Sequence, residues 1–229
     1  MAENYNFQTT YAYATNNPIR FIDWMGMKPG EYSDEDGNII GSDGKKDDNV
    51  HIIQDQESIN KIKDNQSNGK TTKTKDVEIT LTTTKTVLNE TLDVYNRTEG
   101  TTEEASAVNS KGEVTQSESG EGREGYLTTA KIPIDKDDKN GTSIHSHPKI
   151  VTNEGVGWDA SKPGPGDPAA FRHFKTNIIV GAIGTPQATA FGSTMPRGKG
   201  AVFFSRYATT ESKPILKLSI KAIKNILSK

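Results

Sequence analysis

Apolar residues are too scarce in this chain to form a core along its whole length, so where they gather decides what it can fold into. Only 31% of its 229 residues are hydrophobic, and the densest runs lie late, at Ile178-Ile-Val-Gly-Ala-Ile183 and Ala201-Val-Phe-Phe204. Together with Ala188 to Phe191 these read as three strands separated by Gly/Pro turns. A compact C-terminal part and a looser N-terminal part are therefore expected.

Residues 31–75 are rich in Asp, Asn, Gly, Ser and Lys, and this composition reads as a polar linker. Within it, Val50-His-Ile-Ile53 suggests a short strand, and Ile59 with Ile62 a short helix. Organisation strengthens from residue 76, giving an expected domain over 76–229. Val77, Ile79 and Leu81 alternate with polar residues as in a half-buried strand, and Val87, Leu88, Leu92 and Tyr95 follow at helical spacing with Gly100 as a stop. Ala105 to Val108 and Glu113 to Thr115 flank a turn at Asn109-Ser-Lys-Gly112. Tyr126 to Ile134 and Thr142 to His147 read as further strands. Asp167-Pro168 opens a helix running through Phe171 and Phe174, with the aspartate as its cap. Leu216, Ile220, Ile223 and Leu227 form the apolar stripe of a last helix. This order predicts an α+β fold, a mixed β-sheet flanked by helices.

Net charge of −2 gives no global electrostatic case for nucleic acid or an anionic membrane. Locally the charge is uneven: Asp34 to Asp48 carries six acids against two lysines, and Pro196 to Lys229 carries eight basic residues against Glu211 alone. Solvated surface is the plain account of both. No apolar run is long enough to cross a bilayer, and no signal peptide opens the chain, so a soluble protein exported by another route is expected. The absence of cysteine excludes disulfides, thiolate metal sites and a cysteine nucleophile. Any metal must rest on His, Asp and Glu.

That restriction gives weight to Ser143-Ile-His-Ser-His-Pro148, which holds two of the four histidines. On a strand, His145 and His147 point to the same face, so their imidazoles can close on one ion. A bare His-x-His is a weak signal, since most histidines ligate nothing. Here, however, a Gly/Pro-rich loop from Gly155 to Gly166 leads directly to Asp167 at a helix start. Two histidines and one carboxylate leave a fourth position of tetrahedral zinc open for water, the pattern of a catalytic site. Such a metal brings the pKa of water to about 7, and a nearby glutamate can then shuttle the proton.

Two stretches carry family resemblances. The run Tyr11-Ala-Tyr-Ala-Thr-Asn-Asn-Pro to Ile19-Arg-Phe-Ile-Asp-Trp-Met-Gly-Met27 resembles the end of the core of RHS-repeat proteins, where a variable toxin begins. It implies that residues 1–30 are an RHS core-end segment. It also implies delivery into a rival cell by the RHS core and its secretion apparatus, and a cognate immunity protein. The family often has Asp-Pro where this chain has Asp23-Trp24, which puts self-cleavage at the junction in doubt. The second stretch resembles JAMM (JAB/MPN+) metallopeptidases and the JAB-like toxin domains of RHS proteins: His145, Ser146, His147 and Pro148 match the motif centre and Asp167 its last ligand.

The second resemblance implies a sandwich like that of JAMM and cytidine-deaminase domains, Zn2+ as cofactor, and hydrolysis of a peptide or isopeptide bond in a protein or peptide substrate. It implies His145, His147 and Asp167 as ligands and a glutamate some forty residues earlier as general acid/base: Glu104 first, then Glu103, then Glu124. This chain departs at Gly164, where the family has a serine, leaving Ser161 as a substitute, and in the long gap after His147, which leaves Asp159 as a rival ligand.

Other features carry less. His173, between two phenylalanines, reads as a packed histidine, and His51 has no expected role. The glycines from Gly181 to Gly200 read as hairpin turns because no Gly-Lys-Ser/Thr follows a strand. Alternative functions are a metal-dependent nuclease, with the basic tail gripping phosphates, and a non-catalytic interaction module.

Overall fold

The computed structural model describes residues 30–99, 102–117, 130–147, 159–183, 188–189, 192–193 and 198–229. The stretch resembling an RHS core end, the glutamate Glu124, Pro148 and the helix stop Gly100 lie outside the described residues.

The polar stretch 31–75 is folded, contrary to its linker-like composition. Strands β1 (Glu31–Ser33), β2 (Ile39–Ser42) and β3 (Asn49–Ile52) join β4 (Leu81–Thr84) in a four-stranded sheet of order β2-β1-β3-β4. Helix α1 (Gln56–Ser67), capped by Asp55 through the Ser58 N–H, packs Ile59 and Ile62 against Tyr32, Ile40 and Ile53. The acids that lower the mean hydropathy are turn makers: Asp34 accepts the N–H groups of Asp36 and Asn38, Asp43 that of Lys45, and Asp47 that of Asn49. A few apolar residues on the right face therefore suffice. His51 is a satisfied core histidine, with Nδ1 2.9 Å from Thr82 Oγ1 and Nε2 3.4 Å from Asp43 Oδ2. Beside it burial, with Asp43 and Asp76 adding to the effect, pushes the Tyr32 phenol up to about 12.

The remaining elements build a second sheet. Helix α2 (Lys85–Arg97) is capped by Thr84 and followed by a hairpin of β5 (Ala105–Val108) and β6 (Val114–Gln116), with Gly112 at φ +84° in its turn. Next come β7 (Thr142–Ser146), the short helix α3 (Asp167–Phe171), β8 (Thr176–Ile183), and the small pair β9 (Ala188–Thr189) and β10 (Gly192–Ser193). Strands β11 (Gly198–Ser205) and β12 (Leu216–Ser219) and helix α4 (Ile220–Leu227) complete the chain. The six-stranded sheet has order β12-β11-β8-β7-β5-β6, with β7 and β8 parallel and its other pairs antiparallel. The fold is α+β, with mixed sheets flanked by four helices among the described residues.

Several boundaries differ from the expected ones. The strand near Val77 begins only at Leu81, because Val77 and Ile79 lie in extended connection packed under α1. Of the strand expected at Tyr126 to Ile134, residues 130–134 are irregular and the rest lie outside the described residues. Helix α3 stops at Phe171, and Phe174 belongs to the turn after it. Leu216 sits on β12, so the last apolar stripe is a strand followed by a helix.

Side-chain parity divides the six-stranded sheet into two buried faces. Val108, Ile144, Ile178, Val180 and Phe203 face α2 and α4, and the same core takes Val50, Ile52 and Leu81 from the first sheet. The two helices thus lie between the sheets. Ile179, Val202 and Phe204 face the other way and pack with Phe171 and Ala160. No described helix is long and apolar enough to cross a membrane.

Candidate metal centre

The second face is where the histidines point. Register pairs His145 with Ala105 on one side and Ile179 on the other, so it projects with Ile179 toward α3. His147 follows two residues on, its backbone N–H donating to Val180 O at 2.9 Å beyond the end of β7. A Cβ on Gly181 would stand 2.8 Å from His147 O and 3.5 Å from Ala160 Cβ, so glycine is what lets β8 come this close. Parallel strands β7 and β8 joined through α3 form a crossover, and the histidines stand at the C-terminal end of β7, where such units place their ligands.

Asp167 completes the group. Its Oδ2 is 3.3 Å from His145 Nε2 and 3.7 Å from His147 Nε2, and the donor atoms of all three residues lie within 4.8 Å of one another. Two donors each about 2.0–2.1 Å from a tetrahedral zinc ion stand roughly 3.3–3.4 Å apart, so the spacing suits one ion. The group can hold a metal. Asp167 does not cap its helix as expected: Gly166 is the N-cap residue and makes no side-chain bond, while Asp167 is the first helical residue. Its carboxylate instead accepts the Gly164 N–H at 2.7 Å and turns toward the histidines. The backbone of Gly164, the glycine standing where the resembled family has serine, thus orients the ligand.

Hydrogen bonding around the rings fits metal ligation. His147 Nδ1 lies 3.2 Å from Asp159 O, and donation to that carbonyl puts the ring proton on Nδ1 and the lone pair on Nε2, the nitrogen 3.7 Å from Asp167 Oδ2. His145 is 3% exposed, and among the described residues neither of its ring nitrogens makes a well-formed hydrogen bond; Nε2 has only the ion-pair approach of Asp167 Oδ2 at 3.3 Å. A buried imidazole in that condition is costly unless something else engages it. Burial alone would lower its pKa, but Asp167 and then Glu103 turn the net shift upward. Burial likewise opposes ionisation of Asp167, yet the two histidines hold its carboxyl far below the ordinary carboxylate range.

Of Glu103 and Glu104, the two candidate glutamates among the described residues, Glu103 is on this face. Ala105 sits opposite His145, so strand alternation carries Glu103 to the histidine side and Glu104 to the α2 side. Burial raises the Glu103 carboxyl, while His145 and His147 pull it back down, and its Oε2 accepts the Ala130 N–H at 3.3 Å. The Glu104 carboxylate is held by Arg97 Nη1 at 2.6 Å, in a cluster with Glu90, Asp93 and Ser106. The first-ranked glutamate of the sequence motif therefore faces α2, and the second-ranked one faces the group. Which of the two alternates inward depends on register, which no local pattern reveals.

Asp159 contributes its backbone carbonyl to His147, and its Oδ1 accepts the Ser161 N–H at 2.8 Å. Its carboxylate is not part of the three-residue group. Ser161 is half-buried in the turn between Asp159 and Asp167. His173 is half-buried beyond α3 and outside the group. Comparisons with protein-family models, with curated proteins and with solved structures find no match to this chain.

Proposed function

We propose that this chain is a zinc-dependent hydrolase of peptide or isopeptide bonds that acts as the toxin end of a secreted RHS-type protein. The observation carrying the hydrolase reading is the convergence of His145, His147 and Asp167, with donor atoms within 4.8 Å of one another, around an imidazole that is buried and makes no hydrogen bond among the described residues. His145 and His147 would hold the ion through Nε2 and Asp167 through a carboxylate oxygen. Zinc bound there would supply Lewis acidity and bring the pKa of water to about 7. Glu103, raised by burial and facing the histidines, would take up the proton from water at its carboxylate and return it to the leaving nitrogen. Ala130 N–H orients that carboxylate. Gly164 N–H orients Asp167, and the Asp159 carbonyl fixes the tautomer of His147.

A nuclease that grips phosphates with the basic tail has less support. Helix α4 packs on the face of the six-stranded sheet opposite the histidines, so its exposed Lys221 and Lys224 are not on the side of the candidate metal centre. Delivery by an RHS core and neutralisation by an immunity protein rest on the resemblance of residues 11–27 and are part of the same proposal. The test is expression of the chain inside a bacterium beside a His145→Ala, His147→Ala double variant. Growth arrest by the parent alone supports the reading, and equal arrest by both removes it.

A further inference from the structure

At the start of β8 the first fully buried position holds an amide where its neighbours Ile178, Ile179 and Val180 are apolar: Asn177 is 0% exposed. Its register partners are Ser143 on β7 and Phe204 on β11, so it lies on the histidine face, one pair below His145 and Ile179. Ser143, also fully buried, donates its hydroxyl to Asn177 Oδ1 at 2.5 Å. Asn177 Nδ2 donates to Phe171 O at 3.2 Å, at the end of α3, and to Ser205 O at 3.4 Å, at the end of β11. Two carbonyls at one end and a hydroxyl at the other suit an amide; neither leucine nor an ionised aspartate, of similar size, serves all three.

These bonds join the two elements that carry the metal-binding group. Ser143 lies two residues before His145 on β7, and Phe171 ends the five-residue helix that begins at Asp167. A helix this short has no stability of its own, so its place is set by what holds its ends. At one end the Asp167 carboxylate takes the Gly164 N–H; at the other the Phe171 ring packs with Ile179 and Phe204 while its carbonyl rests on Asn177. Apolar contact is non-directional, whereas a hydrogen bond requires an aligned donor and acceptor, so the amide is what fixes α3 along the strands. We infer that Asn177 is a positioning residue for the candidate metal centre, tying α3 to β7 so that Asp167 Oδ2 stands 3.3 Å from His145 Nε2. The inference rests on the metal-centre reading of His145, His147 and Asp167 and extends it to a residue outside that group.

The experiment measures zinc affinity of the full chain by competition against a chelator, and records the visible absorption of the chain loaded with cobalt(II), which reports ligand geometry. The parent is compared with Asn177→Ala, which removes all three bonds, and with Ser143→Ala, a gentler change that removes only the tie to β7. Gly37→Ala, in the first sheet, controls for lost stability alone. The expected result is zinc binding weakened by about tenfold in Asn177→Ala and by a smaller factor in Ser143→Ala, with the cobalt band displaced in both and unmoved in Gly37→Ala. Affinity and band equal to the parent's in Ser143→Ala, whether or not Asn177→Ala folds, overturn the assignment and leave the metal reading intact. A band displaced as far in Gly37→Ala does the same. A parent chain that binds neither ion overturns the metal reading, and the assignment with it.

Discussion

Ser146 and Glu104 hold each other twice: Ser146 N–H donates to the Glu104 carbonyl at 2.9 Å, and Glu104 N–H donates to Ser146 Oγ at 2.9 Å. The residue between the two histidines thus extends the β5–β7 ladder past Ala105 and fixes which glutamate alternates toward them.

From this register the two glutamates are expected to behave differently. Glu103→Gln should leave metal content unchanged and lower hydrolysis by about 10²–10⁴-fold, the usual weight of a general acid/base. Glu104→Gln should retain turnover and cost about 1–3 kcal/mol of stability, because Arg97 keeps Glu90 and Asp93 but loses its 2.6 Å partner. Denaturant melts beside rate measurements separate the cases; loss of turnover in Glu104→Gln with full turnover in Glu103→Gln would reverse the assignment.

Acidity should act oppositely on the metal-free and metal-loaded chain. The His145 pKa is raised on folding, so its contribution is complete below the unfolded value of about 6.5 and is lost as pH rises through the folded value. Asp167 is depressed, so its contribution is present above about 3.9 and is lost as pH falls toward its folded value. The metal-free chain should therefore gain most from this pair between about pH 4 and 6.5. Metal must displace the His145 proton, so the Tm gain on adding zinc should grow as pH rises from 6 toward 8. Scanning calorimetry with and without zinc measures it, and a gain that shrinks over this range contradicts the account.

Gly181→Ala should weaken metal binding by on the order of tenfold, as other disturbances of supporting groups do. Its Cβ would press on the backbone oxygen of His147, displacing the end of β7 without touching a ligand side chain. Competition against a chelator gives the affinity; an unchanged constant would show that His147 tolerates the shift.

The first sheet supplies a stability test. Gly37 has φ +80°, and a Cβ there would collide with the Ala222 carbonyl of α4. Gly37→Ala should cost about 1–2 kcal/mol from the left-handed backbone alone, with the collision adding to it. A midpoint in urea equal to that of the parent would mean that the β1–β2 turn does not dock on α4.

Gly37 also shows what the sequence concealed. Asp34-Glu-Asp-Gly37 looks like linker because its acids are counted as solvated charge, whereas Asp34 spends its carboxylate on two backbone N–H groups and Gly37 touches a helix almost two hundred residues away. Composition averages over such placements. Hairpin β5–β6 was legible because Asn109-Ser-Lys-Gly112 carries its own turn chemistry, and α2 because Val87, Leu88, Leu92 and Tyr95 fall at helical spacing. The His145, His147 and Asp167 convergence was legible in part, since strand alternation alone places the histidines together. The aspartate required the crossover through α3, and its orientation comes from a Gly164 N–H rather than from capping. The facing of Glu103 and the bonds of Asn177 depend on inter-strand register, which leaves no periodic trace.

The most direct measurement is the metal content of the chain purified without added metal, taken beside the His145→Ala, His147→Ala double variant. About one zinc per chain in the parent and none in the variant is the predicted result. A parent that carries no metal and takes up none on titration, or a double variant that binds as much as the parent, contradicts the account.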